Sequence, residues 1–143
     1  MVKADDFLNT VCNELNYRFF SGAVVEGFLK FLKAMSSEFM HYVPAANEEI
    51  ALGIACGAFS GGLKSCILFD MKFKEKIYYN FNFVLENKIP LLLLGYSENK
   101  KENFKYDIPI KLFSKLSDIK SLDLEMEKKS SPGLLIIGKD GIS

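Results

Sequence analysis

Arginine is almost missing from this chain: among 18 basic residues, Arg18 is the only one. A site that grips a phosphate or carboxylate in two-pronged fashion usually relies on arginine's planar fork, so this chain alone has little to offer such a ligand. Histidine is equally scarce. His41 stands alone, and no serine or cysteine has a histidine partner at a relay spacing. On a short strand before a turn, His41 reads as structural rather than catalytic. Cysteine occurs three times, at Cys12, Cys56 and Cys66, widely spaced and without a C-x-x-C pair. That excludes a zinc knuckle or a dithiol redox motif and is expected of reduced, buried thiols in a cytoplasmic protein. Net charge is zero, with 18 acidic residues against the 18 basic ones, which argues against nucleic acid and anionic membranes as partners. The longest apolar run, "IPLLLLG", is too short to span a bilayer, and the first ten residues lack a signal peptide's apolar core. Neither G-x-G-x-x-G nor a Walker A loop is present, and the tail "GKDGIS" is a weak echo of phosphate loops.

What is present is an α/β alternation. Phe7, Val11 and Leu15 mark one helical face, with Asp5 and Asp6 in its first turn. "YRFFSG" reads as a strand, "VEGFLKFLKAMS" as a helix, "EFMHYVP" as a strand and Asn47 to Ser60 as a helix stopped by Gly61-Gly62. "KSCILFD" is a third strand, "EKIYYNFNFVLEN" one helix, and "IPLLLLGY" a strand buried on both faces. "SENKKENFKYD" is loop, "IPIKLFSKLSD" a short helix with Pro109 near its start, Lys128 to Pro132 a turn, and "GLLIIG" the last strand. The pattern predicts a single α/β domain over residues 1–143, with a mainly parallel sheet flanked by helices.

The stretch "VPAANEEIALGIACGAFSGG" carries the most chemistry. Asn47 suits a helix cap, and Glu48 and Glu49 complement the helix dipole. The body that follows is small and apolar through Ala51, Gly53, Ala55, Gly57 and Ala58. Each interior glycine costs about 1 kcal/mol against alanine, so something is expected to lie tightly on that surface: the sheet, a partner chain or a cofactor. Tyr78, Tyr79, Phe81 and Phe83 point in several directions around their helix. One side suits the core, and the other suggests a subunit interface.

Taken in order, "FFSGAVVEGFLKFL", "YVPAANEEIALGIACGAFSGG", "KSCILF", "KIPLLLLGY" and "SPGLLIIGKDGIS" resemble the pyrimidine-binding domain of thiamine-diphosphate enzymes. The nearest likeness is to the phosphonopyruvate and sulfopyruvate decarboxylases. The most specific piece is Ala46-Asn47-Glu48 with Ala51, Ala55 and Gly57 behind it. The resemblance implies that Glu48 is the cofactor-activating acid, with Asn47 beside it at the cofactor and Glu49 its near neighbour. In such enzymes a glutamate hydrogen-bonded to a pyrimidine ring nitrogen promotes the imino tautomer that deprotonates the thiazolium carbon. The resemblance further implies a pyrimidine-binding α-type subunit of a 2-oxoacid decarboxylase, sharing thiamine diphosphate with a partner subunit in a homo- or hetero-oligomer. That partner would carry the diphosphate site and Mg²⁺, since no G-D-G…N motif occurs here. Three segments depart from the family pattern. "DMKFKEKIYY" replaces a glycine-containing loop, "GAVVEG" replaces a G-V-P-D-S segment with Glu26 as an ambiguous acidic counterpart, and "GYSENK" replaces a tryptophan-arginine-glycine turn. Two readings follow: a different small 2-oxoacid substrate, or a non-catalytic binding or scaffold module that has lost the active site.

Overall fold

The computed structural model describes residues 1–35, 40–99 and 102–143. Its strands are β1 (Phe19–Gly22), β2 (His41–Pro44), β3 (Ser65–Asp70), β4 (Leu92–Tyr96), β5 (Ile110–Leu112) and β6 (Gly133–Ile137). They form one sheet in the order β2-β1-β3-β4-β6-β5, with every pairing parallel. The helices are α1 (Ala4–Leu8), α2 (Leu29–Ala34), α3 (Glu48–Ser60), α4 (Lys74–Tyr78), α5 (Phe81–Glu86) and α6 (Leu116–Lys129).

Alternate residues of the central strands feed two separate cores, as the two-residue period of a strand requires. Cys66, Leu68, Leu92, Leu94 and Leu135 pack with Phe7, Phe31, Ile119 and Leu122 on one face. Ile67, Phe69, Leu93, Leu134 and Ile136 pack with Ala51, Ala55, Ile77 and Phe81 on the other. Helices α1, α2 and α6 therefore cover one face, and α3, α4 and α5 the opposite one. β4 and β6 are buried almost throughout, whereas the edge strands β2 and β5 are largely exposed. A parallel sheet covered on both sides matches the expected fold class.

Several element expectations need correction. The short helix placed on "IPIKLFSKLSD" is instead edge strand β5, with Ile110 opposite Leu134, followed by the buried Phe113. The helix starts later, at Leu116, where the Asp118 carboxylate accepts the Ser114 and Lys115 amides at 2.8 and 3.0 Å. It then runs to Lys129, into the expected turn. Ile119, Leu122 and Met126 supply the buried stripe that makes it a helix. "EKIYYNFNFVLEN" is two helices rather than one. Asn80 leaves helical geometry between them and donates its side-chain amide to Glu49 at 3.0 Å, an outside partner that competes with helix continuation. The first helix widens into a π-helical turn over Asn9–Glu14. Of the strand expected on "EFMHYVP", Glu38 and Phe39 lie outside the described residues, as do Lys100 and Lys101 of the expected loop.

Because all strands run the same way, the sheet has two distinct ends. The carboxyl end carries the loops in which open α/β sheets bind ligands. Glu48 follows β2 at that end.

Candidate functional site

β2 ends at Pro44, and Ala45 donates its amide to the Gly22 carbonyl at 2.9 Å, fixing the turn toward α3. Asn47 is extended, and its side-chain oxygen accepts the Ile50 amide at 2.9 Å. It is the cap that its residue type suggests. The two glutamates behind it part company. Glu49 is exposed and accepts the bond from Asn80. Glu48 is only 1% exposed. Its Oε1 lies 3.9 Å from the Lys76 ammonium, beyond hydrogen-bond reach, and its Oε2 has no hydrogen-bond partner.

An unsatisfied buried polar atom costs about 1–3 kcal/mol, and more when charged. Such atoms are rare enough in folded proteins that each calls for a reason. An α-helix start does not supply one, because a dipole-complementing glutamate keeps its benefit in water. A carboxylate oxygen held dry and without a donor suits a ligand that brings an N–H. A protonatable ring nitrogen is such a group, so the donor set fits the pyrimidine of thiamine diphosphate. No group of three or more His, Cys, Asp or Glu is placed to hold a metal ion among the described residues.

α4 packs against α3 and brings Lys76 to 3.9 Å from Glu48. Lys76 is half exposed there, with its ammonium 5.0 Å from the Phe73 ring centre. On its other side α4 is tied to the loop before β5. Lys74 donates to Glu102, to the Asn103 carbonyl and to the Asn103 side chain at 3.3, 2.8 and 2.9 Å. The Tyr78 hydroxyl accepts the Lys105 amide at 3.0 Å. Sequence reasoning read this segment as the start of a helix and as a departure from a family pattern. No spacing rule marks Lys76 as the cation nearest Glu48.

The small residues of α3 fall into two sets. Ala51 and Ala55 are fully buried among the sheet residues, which is the close packing that their size allows. Gly53 and Gly57 are exposed, and a methyl group on either would meet nothing within 4 Å. At these two positions no described residue supplies the expected tight neighbour. They line an open groove of about 450 Å³ with Cys56, Asn80 and Phe83. Tyr79 and Phe83 are exposed beside it while Phe81 is buried, so the aromatic cluster splits between surface and core. All three cysteines are free and buried, and burial pushes each thiol upward, Cys12 to about 11.

At the amino end of the strands lies a second buried carboxylate, Asp123, which sequence reasoning missed. It accepts the Tyr17 hydroxyl at 2.7 Å and Lys64 at 3.4 Å, while Lys64 also donates to the Leu15 carbonyl at 2.6 Å. Burial first, and Asp123 second, drive the Tyr17 phenol well above its ordinary range. Tyr17 and Asp123 are 106 positions apart, so no local motif links them. His41 is exposed on edge strand β2. The "GKDGIS" tail closes against the amino terminus: the Val2 amide donates to the Gly141 carbonyl at 3.1 Å and the Ser143 amide to the Val2 carbonyl at 2.8 Å. No helix is long and apolar enough to cross a membrane among the described residues.

No protein-family profile matches this sequence, and no curated protein matches it. Solved structures do match in fold. Benzoylformate decarboxylase from Polynucleobacter necessarius superposes with a TM-score of 0.76 at 16% identity, over 99% of this chain and 30% of that one. The thiamine diphosphate-dependent 4-hydroxybenzoylformate decarboxylase of Rhodococcus jostii RHA1 gives 0.73 at 11%, over 98% and 31%. A split-gene transketolase, solved as an inactive β4 tetramer, gives 0.65 at 11%, over 98% and 51%. The chain thus spans about a third of the two decarboxylase chains and half of the transketolase chain. At these identities the likeness establishes a shared fold.

Proposed function

We propose that this chain is the pyrimidine-binding, α-type subunit of a thiamine-diphosphate-dependent 2-oxoacid decarboxylase, working on a small substrate such as sulfopyruvate or phosphonopyruvate. One observation carries the reading: Glu48, at the first position of α3, is dry and lacks a donor for Oε2. The fold shared with thiamine-diphosphate-dependent enzymes supports it.

When bound, thiamine diphosphate supplies the carbon nucleophile that attacks a 2-oxoacid. The chain's own residues hold and orient. Glu48 Oε2 would take the ring-nitrogen hydrogen bond and keep a proton shared at that atom, away from water. Asn47 fixes the first turn of α3, so that Glu48 does not drift. The groove along Gly53 and Gly57 offers a close seat for the partner subunit, which would carry the diphosphate and Mg²⁺. In the complex reconstituted with that partner, Glu48→Gln keeps assembly and loses most turnover. Near-normal turnover would remove the assignment.

A second reading is a non-catalytic scaffold module, favoured by the near-complete burial of Glu48 in the chain as it stands. Titrating thiamine diphosphate into the chain with and without its partner separates the two. Cofactor uptake only in the mixture supports the enzyme. Partner binding without uptake supports the scaffold.

A further inference from the structure

We propose that α4 is a self-made cover, closing Glu48 in the free subunit and moving aside before any ligand reaches it. This concerns regulation of the site proposed above and rests on that reading only for the ligand's identity.

The argument starts from access. At 1% exposure, no ring can approach Glu48 as the free chain stands. The neighbour that closes it is a short helix, five residues long, below the length at which a helix is stable by itself. Its position therefore depends on its packing, with Ile77 fully buried and the Tyr78 ring 5.0 and 5.5 Å from those of Phe104 and Tyr106, and on polar ties that form a clasp around the helix. At the entry, Asp70 caps the preceding turn by accepting the Lys72 amide at 3.0 Å. On the outer side, Lys74 makes three bonds to Glu102 and Asn103. At the exit, Asn80 bonds Glu49, the residue next to Glu48.

All of these ties are polar and exposed or half exposed, the class that contributes little and opens first. Beneath them, Lys76 faces Glu48 from 3.9 Å, an attraction too long to satisfy either oxygen. The closed state therefore holds a poorly satisfied carboxylate under a lid anchored by Ile77 and the Tyr78 ring and clasped by exposed polar ties. Opening hydrates the carboxylate and frees the Lys76 ammonium, which offsets part of the cost of undocking Ile77. The exit tie lies on the wall of the α3 groove, since Glu49 and Asn80 both line it. A partner seated in that groove competes for this bond, which couples assembly to exposure of Glu48.

The test is carboxylate labelling of the full chain with a water-soluble carbodiimide and glycinamide, read by peptide mass spectrometry. Asp5, which is exposed, serves as the open reference, and Asp123 as the fold reference. In the wild-type chain, Glu48 should label at least about tenfold more slowly than Asp5. In Lys74→Ala/Asn80→Ala, Glu48 labelling should rise by about tenfold while Asp123 stays protected. Wild-type Glu48 labelling at the Asp5 rate overturns the cover, and so does an unchanged Glu48 in the double variant. Should the variant also expose Asp123, amide exchange of the wild-type chain decides. Residues 71–80 must then exchange ahead of residues 51–56, and equal protection overturns the proposal. Repeating the labelling on the complex reconstituted with the partner, with and without thiamine diphosphate, separates the two claims. Opening with cofactor protection of Glu48 supports both. Opening without it keeps the cover and removes the cofactor reading.

Discussion

The two ends of the sheet each bury a carboxylate, and they treat it in opposite ways. At the amino end, Asp123 meets a tyrosine hydroxyl at 2.7 Å and a lysine at 3.4 Å, and every donor in the cluster has an acceptor. At the carboxyl end, Glu48 is more deeply buried yet, among the described residues, has a lysine at 3.9 Å and an Oε2 with no hydrogen-bond partner. The first arrangement ties the segments before β1 and β3 to α6, so it serves the fold. The second contributes nothing comparable to the fold and leaves a valence open. Burial alone does not distinguish an architectural acid from a working one; the count of satisfied lone pairs does.

The comparison breaks first at Asp123. Asp123→Ala strands the buried Tyr17 hydroxyl and takes from Lys64 its carboxylate partner, and should lower the unfolding free energy by about 3 kcal/mol in a denaturant titration. A loss below about 1 kcal/mol would mean that the cluster is ornamental. A third carboxylate sharpens the point from the opposite side. Asp118 is partly exposed. Burial pushes its carboxyl upward, but bonds from Ser114 and Lys115 outweigh that and hold it below the ordinary value. Asp118→Ala should cost about 1 kcal/mol at neutral pH, as a lost helix cap does. Because the folded value is the lower one, this contribution exists above the unfolded value and fades as pH falls through the folded one. The unfolding curves of variant and wild type should therefore converge below about pH 4. A difference that persists in strong acid would assign the effect to packing instead.

The smallest effect has the opposite sign. Gly53→Ala and Gly57→Ala place a methyl group in open space on a helix, and each should raise stability by about 0.5–1 kcal/mol in thermal melts. Under the proposed function, a partner subunit seated on α3 would account for glycine at these two positions. The same variants should weaken partner assembly, and destabilised free chains would show that the groove is already filled.

The legibility of this molecule in its sequence follows the same division. Strands β3, β4 and β6 are readable because continuous apolar runs leave few alternatives for a segment of that length. The Asn47 cap and the acid beside it are readable from local residue types. Helix α6 was misplaced because Ile108 to Leu112 carries enough apolar residues to suggest a helix. The decisive signal is Asp118 bonding back to Ser114, which depends on geometry. The break at Asn80, the Tyr17–Asp123 bond and the approach of Lys76 to Glu48 all join residues 28 or more positions apart, beyond any window of periodicity. The open surface at Gly53 was invisible for a related reason: small residues announce that something comes close without saying whether it belongs to the same chain.

The most direct measurement is the unfolding free energy of Glu48→Gln, taken by denaturant titration beside Asp123→Ala. If Glu48 is held for a ligand, removing its charge leaves the free chain's stability unchanged within about 0.5 kcal/mol or raises it. A loss approaching that of Asp123→Ala would show that Glu48 is part of the architecture and would contradict the account.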